Sequence, residues 1–249
     1  MLQTIHVVGD RFIHFTQDNA NVLTITQLEE RLVRGELGQE MRIMIGQGIQ
    51  HERIQRIQAL CSYPEYASRI SFYPSPDIRR AEPRLTHKRL PCNVMITLPQ
   101  KISEDLYKAY LLVDEECAEM SDHLTGQHMQ GMVLAEAGRQ MVIAVTEQFV
   151  IKNEPGQTSF LVINTFDVAF HSFAFPVVTE IECRFSDTRL GKRGTMLSGA
   201  EIRFIQGGEC VMSGAAKFSA YDSSFMRVRE AGKARQLLTR AAAFPAPAY

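Results

Sequence analysis

The stretch DHLTGQHMQGMVLAEAGRQM, residues 122 to 141, concentrates the residue types that do chemistry. Glu136, Arg139 and Gln140 stand at i, i+3 and i+4, so on a helix they share one face, where Glu136 and Arg139 can pair with Gln140 hydrogen-bonding beside them. His123 and His128 precede that face in a short segment containing Gly126, from which either ring can fold back toward Glu136. An imidazole beside a partly buried carboxyl is a proton-transfer pair, because burial raises the acid's pKa while the imidazole titrates near neutrality. Gly131 would cost about 1 kcal/mol relative to alanine in a helix interior. At a helix start it instead lets a ligand carbonyl approach free N–H groups at the positive end of the helix dipole. Together these residues suit polarising a thioester carbonyl and moving a proton nearby. The same residues also admit a plainer reading, an interior ion pair flanked by structural histidines.

The element that must carry them is a helix over roughly Met129 to Phe149, apolar on most of its circumference through Met132, Val133, Leu134, Ala137 and the run Met141 to Val145, and therefore buried. Around it the chain reads as strands. NVMITLP and LYKAYLLVDEE precede the helix. TSFLVINTFDVAFHSFAFP, TEIECRF, GAEIRFI and ECVMSGAAKFSAY follow it, with RLGKRGTM and QGGE as turns. One apolar helix wrapped by about five or six antiparallel strands is an α+β fold of the hotdog type.

Upstream lies a small α/β unit: TIHVVGDRFIHFT alternates like a hairpin, TITQLEERLVRG and HERIQRIQALC have helical spacing, and MRIMIGQGI and RISFY are short strands. The spacing and the prolines that follow divide the chain into an α/β unit over 1–76, a linker over 77–86, a hotdog domain over 87–228, and a C-terminal helix with a mobile tail over 229–249. The glycine turn in MIGQGIQHERI superficially suits a nucleotide, but it lacks the third glycine and a following acidic residue, so it reads as a docking or dimerisation element.

DHLTGQHMQGMVLAEAGRQM resembles the signature of the A-factor biosynthesis (AfsA-like) hotdog family, H-x4-H-x-P-G-M-x-L-x-E-A-x-R-Q. His123, His128, Gly131, Met132, Leu134, Glu136, Ala137, Arg139 and Gln140 fall on it. THKRLPCNVMIT is similar to the family's other marker, with His87, Lys88, Val94 and Thr97 matching. Gln130 stands where the family has proline. The resemblance, over roughly residues 86 to 222, implies transfer of a β-ketoacyl group from a phosphopantetheine thioester, on acyl carrier protein or coenzyme A, to a small hydroxylated acceptor in making a butyrolactone-type signal or other specialised metabolite. On that reading Glu136 is general base or acid, Arg139 orients Glu136 or an anionic acceptor, and His123 is the second proton-transfer candidate. Gly131, Met132, His128 and Gln140 line the substrate, and a homodimer completes the site. Hotdog 3-hydroxyacyl-carrier-protein dehydratases are similar to HLTGQHMQGMVLAE with one residue fewer; there His123 would remove the α-proton and Glu136 would help the hydroxyl leave. Thioester hydrolysis and a non-catalytic acyl- or lactone-binding module are further alternatives.

A formal net charge of -1 gives no global pull toward nucleic acid or an acidic membrane. The five cysteines form no C-x-x-C pair and cannot all pair within the chain, which implies reduced thiols. No basic leader precedes an apolar core, and no run approaches the roughly 20 apolar residues of a membrane span, so a soluble cytoplasmic protein is expected, with no bound cofactor and no metal. The Arg79, Arg80 and Lys192, Arg193 pairs read as loop charges or as holders of a phosphate.

Overall fold

The computed structural model describes residues 2–37, 40–122, 126–151, 159–191 and 195–242. Its first elements are β1 (Gln3–Val8), α1 (Ile13–Gln17), β2 (Val22–Thr24), α2 (Ile25–Val33), β3 (Met41–Ile45), α3 (His51–Cys61), α4 (Pro64–Ala67) and β4 (Ile70–Tyr73). The four strands form a parallel sheet in the order β2-β1-β3-β4. Helix α2 starts as its sequence dictates, with a capping box in which Thr24 accepts from the Gln27 N–H and the Gln27 side chain accepts from the Thr24 N–H. The hairpin expected from TIHVVGDRFIHFT does not form. After β1 the chain turns into a 3-10 turn and α1, because Phe12 and Phe15 are buried at helical spacing rather than on alternate sides of a strand.

The second unit comprises β5 (Gln100–Lys101), β6 (Leu106–Tyr110), α5 (Ala118–Ser121), α6 (Gly131–Val145), β7 (Ser159–Phe170), β8 (Glu180–Leu190), β9 (Met196–Gln206), β10 (Glu209–Asp222) and α7 (Ser223–Ala242). Six strands in the order β5-β6-β8-β9-β10-β7 pair antiparallel and wrap α6, which is the hotdog arrangement. Val133, Leu134, Ala137, Met141 and Val145 of α6 pack with Ile181, Cys183, Ile202, Phe204 and Phe218 of the sheet in one continuous core. Each large aliphatic or aromatic side chain so buried contributes about 1.5 to 3 kcal/mol relative to exposure. The α-helix stops at Val145, short of Phe149, and a π turn over Thr146–Val150 follows. There the Thr146 hydroxyl donates to the Val142 carbonyl at 2.8 Å, a local bond that competes with the helix ladder.

Two expectations change around the first strands. NVMITLP makes only isolated bridges, Arg80 with Thr97 and Ile96 with Leu111, because the Met95 N–H is taken by the Gln140 side chain at 2.9 Å. The segment expected as a linker over 77–86 is part of the folded body: Leu98 N–H donates to the Arg79 carbonyl at 2.8 Å, Ala81 N–H to Ile96 at 3.0 Å, and Ala81 and Leu85 are core residues. The C-terminal helix begins at Ser223 rather than 229, where Asp222 accepts the Phe225 N–H at 3.0 Å as a cap. The tail beyond it lies outside the described residues.

The two units share a seam. Gln47, fully buried, donates to the Leu111 and Val177 carbonyls at 3.0 and 3.2 Å and accepts the Val113 N–H at 2.9 Å. A Cβ at Gly46 would lie 2.1 Å from the Pro176 carbonyl oxygen. The glycine turn is thus packed against hotdog backbone.

Candidate functional site

Helix α6 enters the core from a loop held at several points. Met129 N–H donates to the Ala174 carbonyl at 2.8 Å, Phe15 N–H donates to Gly126 at 3.0 Å, and the Gln130 amide donates to the Glu119 carbonyl. The glutamine that stands in place of proline thus turns its side-chain amide to the Glu119 carbonyl. Gly131 is the first residue of α6, and among the described residues the Gly131 and Met132 N–H groups have no hydrogen-bond partner, as the first turn of any helix leaves them. A Cβ on Gly131 would meet the Phe170 ring at 2.5 Å. The glycine is there because an aromatic ring from β7 lies against the helix start.

Beside this start is an apolar pocket of about 320 Å³, lined by His128, Met129, Gly131, Met132, Phe170 and Phe173 among others. Met132 is 65% exposed, and the His128 ring sits 5.1 Å from that of Phe173. The free N–H groups, the helix dipole and the apolar walls can hold a carbonyl with an attached chain.

Glu136 is elsewhere. Five residues along a helix turn through about 140° net of a full turn, which carries Glu136 away from the Gly131 side, and it does not line the pocket. Its carboxylate instead anchors a polar cluster. Arg139 Nε donates to Oε2 at 2.7 Å and its terminal nitrogen to Oε1 at 2.8 Å; Gln140 Nε2 donates to Oε1 at 3.1 Å; Lys88 Nζ lies 2.7 Å from Oε1. Lys88 also donates to Glu119 at 3.2 Å. Burial alone would raise the Glu136 pKa, but the bonds from Arg139 and Lys88 outweigh it and hold the carboxyl at about 2. The raised acid expected at this position is therefore inverted. Lys88 is pushed up: burial acts against its charge, and Glu136 and Glu119 more than compensate.

Gln140, expected to touch substrate, is fully buried and bridges protein groups: it accepts from Met95 N–H at 2.9 Å and donates to the Asn93 carbonyl at 2.8 Å. It holds the chain after Lys88 against α6. His123 lies outside the described residues, as do Lys192 and Arg193. The structure thus places Gly131, Met132 and His128 together, and Glu136, Arg139 and Gln140 together, as two neighbouring groups rather than one. Lys88 and Glu119 complete the second group. Lys88 was legible only as part of the HK marker, and nothing in the spacing pointed to Glu119. His87, beside Lys88, has a left-handed backbone with φ of 52° and places its Nε2 3.1 Å from Glu147, whose carboxylate also accepts the Ser159 N–H at 2.8 Å.

Among the described residues no group of three or more histidines, cysteines, aspartates or glutamates is placed to hold a metal, and no helix is long and apolar enough to cross a membrane. The family model described as "AfsA: A-factor biosynthesis hotdog domain" matches residues 73–222. No curated protein matches the chain. Solved structures similar to it include a sigma28-regulated virulence protein of Campylobacter jejuni, 17% identical, covering 56% of this chain and 93% of its own, with a TM-score of 0.39. A mutant thioesterase of Pseudomonas aeruginosa is 13% identical over 51% of this chain and 81% of its own, TM-score 0.36. A protein of Pyrococcus horikoshii is 20% identical over 57% and 93%, TM-score 0.35.

Proposed function

Since the chain belongs to the A-factor biosynthesis (AfsA) hotdog family, we propose that it acts on an acyl thioester, transferring a β-ketoacyl group from a carrier-protein or coenzyme A arm to a small hydroxylated acceptor. The observation that carries this reading is the apolar pocket at the start of α6, where the Gly131 and Met132 N–H groups have no acceptor among the described residues. The acyl chain lies along Phe170 and Phe173, and the thioester oxygen takes those N–H groups, which strengthen their hold as the oxyanion develops. The acceptor hydroxyl oxygen bonds to the thioester carbon and the carbon–sulfur bond breaks. His128 accepts the hydroxyl proton and returns it to the departing thiolate.

Glu136 then has a positioning role. A carboxyl held at about 2 is a poor proton acceptor at neutral pH. It fixes Lys88 and Arg139, and the half-exposed Arg139 offers a cation to an anionic acceptor. The same ionised state weighs against dehydration, which would need a protonated acid to help a hydroxyl leave.

The partners follow from the surface. Among the described residues strand β7 is an edge of the sheet, paired only with β10, and it carries exposed Val168 and Phe170. A second copy paired there completes the pocket wall as a homodimer. Helix α7 bears Arg227, Arg229, Lys233, Arg235 and Arg240 against the single acid Glu230, which suits an acidic carrier protein.

The test is intact-protein mass spectrometry of carrier proteins loaded with β-ketoacyl or 3-hydroxyacyl groups. Discharge of the β-ketoacyl form only when a hydroxylated acceptor is present supports transfer. Discharge without acceptor would make the protein a thioesterase, loss of one water from the hydroxyacyl form a dehydratase, and no change in either form a binding module.

A further inference from the structure

The seam between the two units encloses a second cavity, of about 340 Å³, remote in sequence from the start of α6. It opens at the carboxyl edge of the parallel sheet, next to the end of β3 at Ile45 and the residue after β4, Pro74. In open parallel sheets that edge is where ligands bind. One face of α3 lines it at helical spacing through His51, Ile54, Gln55 and Gln58, and Ser75, Arg79, Arg80 and Thr97 close the other side. Among the described residues no aspartate or glutamate lines it.

Arg80 is the feature that points to a ligand. Its side chain is 9% exposed, and its Nε is buried with no hydrogen-bond partner. One terminal nitrogen donates to the Val94 carbonyl and, at 3.2 Å, to that of Leu112; the other lies 3.9 Å from Asp114, beyond hydrogen-bond reach. Asp114 in turn accepts the His51 and Glu116 N–H groups at 3.2 and 3.0 Å. The guanidinium charge is met by carbonyls and by one carboxylate at 3.9 Å that is itself shared with two N–H groups, so an anion in the cavity would add counter-charge that its burial calls for. The neighbouring Arg79, His51, Gln55 and Gln58 supply further donors for several acceptor oxygens, while the Ser75 hydroxyl donates to Asp77 at 3.4 Å. Ile45, Ile54, Ile78 and Leu112 leave room for an apolar body.

We propose that this seam cavity is a binding site for a small phosphate monoester with an apolar body, held by Arg80 and Arg79. The proposal stands apart from acyl transfer at α6, so each can fail without the other. It gives the N-terminal unit a ligand-binding role and makes the seam sensitive to that ligand.

The test is isothermal titration of the full chain with phenyl phosphate and with inorganic phosphate. Arg80→Met removes carbonyl contacts and can impair folding, so the deciding variants are Arg79→Glu, at an exposed residue, and Gln58→Glu, which adds a carboxylate to the cavity. Phenyl phosphate is expected to bind more tightly than inorganic phosphate, and each variant to weaken it by at least about tenfold with the melting temperature of the unliganded protein unchanged. Undiminished binding in both variants, or no binding of either probe by the native chain, overturns the proposal. Binding of inorganic phosphate as tight as phenyl phosphate overturns the apolar-body part of it.

Discussion

Lys88 Nζ stands 2.7 Å from Glu136 Oε1, so the lysine of one family marker meets the glutamate of the other. The pair is mostly buried, with side-chain exposures of 17% and 16%, and Arg139 and Glu119 extend it. Removing one partner leaves a charge with less compensation than its burial requires. Lys88→Met and Glu136→Gln should each destabilise the fold by about 1 to 3 kcal/mol, and the double variant should lose less than the sum. Urea denaturation of the four proteins in a double-mutant cycle measures the coupling; strict additivity would mean the contact contributes nothing.

The same carboxylate predicts a pH dependence. Its folded pKa of about 2 lies below the ordinary 4.5, so it contributes stability that is fully present above the unfolded value and is lost as pH falls through the folded one. The shift corresponds to about 3 kcal/mol, lost progressively between roughly pH 5 and pH 2. Stability measured across that window should fall less steeply in Glu136→Gln than in the native chain.

At the helix start, Gly131→Ala should drive a methyl into the Phe170 ring. The expected outcome is a lower melting temperature, by up to about 1 kcal/mol of stability, because the half-exposed ring can swing aside. Phe170→Leu should restore part of that loss. If the alanine variant melts like the native chain, the ring does not hold the place described for it.

Edge pairing along β7 can be tested by sedimentation. If the native chain pairs through β7 as proposed, Val168→Lys puts a charge on the exposed apolar surface of that strand and should shift the association toward monomer. An unchanged sedimentation coefficient would remove β7 as the dimer contact.

The hotdog unit was legible because its signals are periodic and long. The apolar circumference of α6 and the alternation in TEIECRF and GAEIRFI each specify an element without outside help. The polar trio was legible for the same reason, since i, i+3, i+4 spacing dictates a shared face. What one segment does to another was not. Met95 gives its N–H to Gln140, forty-five positions away, and so NVMITLP forgoes a regular strand. Lys88 reaches Glu136 only because that segment is folded over α6, and its effect inverts the pKa that burial alone implies. At the start VVGDRFIHF satisfies hairpin alternation locally, while burial of Phe12 and Phe15 follows helical spacing.

The buried amide of Gln47 has a consequence for how the chain comes apart. Its three bonds tie Leu111, Val113 and Val177 to a loop of the parallel sheet, and Val8, Phe12, Phe15 and Val22 belong to the same core as α6. A chain cut to the family-matched residues 73–222 would bare that apolar surface to water and exchange those three bonds for solvent, losing about 25 cal/mol for each Å² of apolar surface uncovered. The intact protein should therefore melt in a single cooperative transition, its first seventy residues acting as an inseparable lid on the hotdog core rather than as a module strung before it.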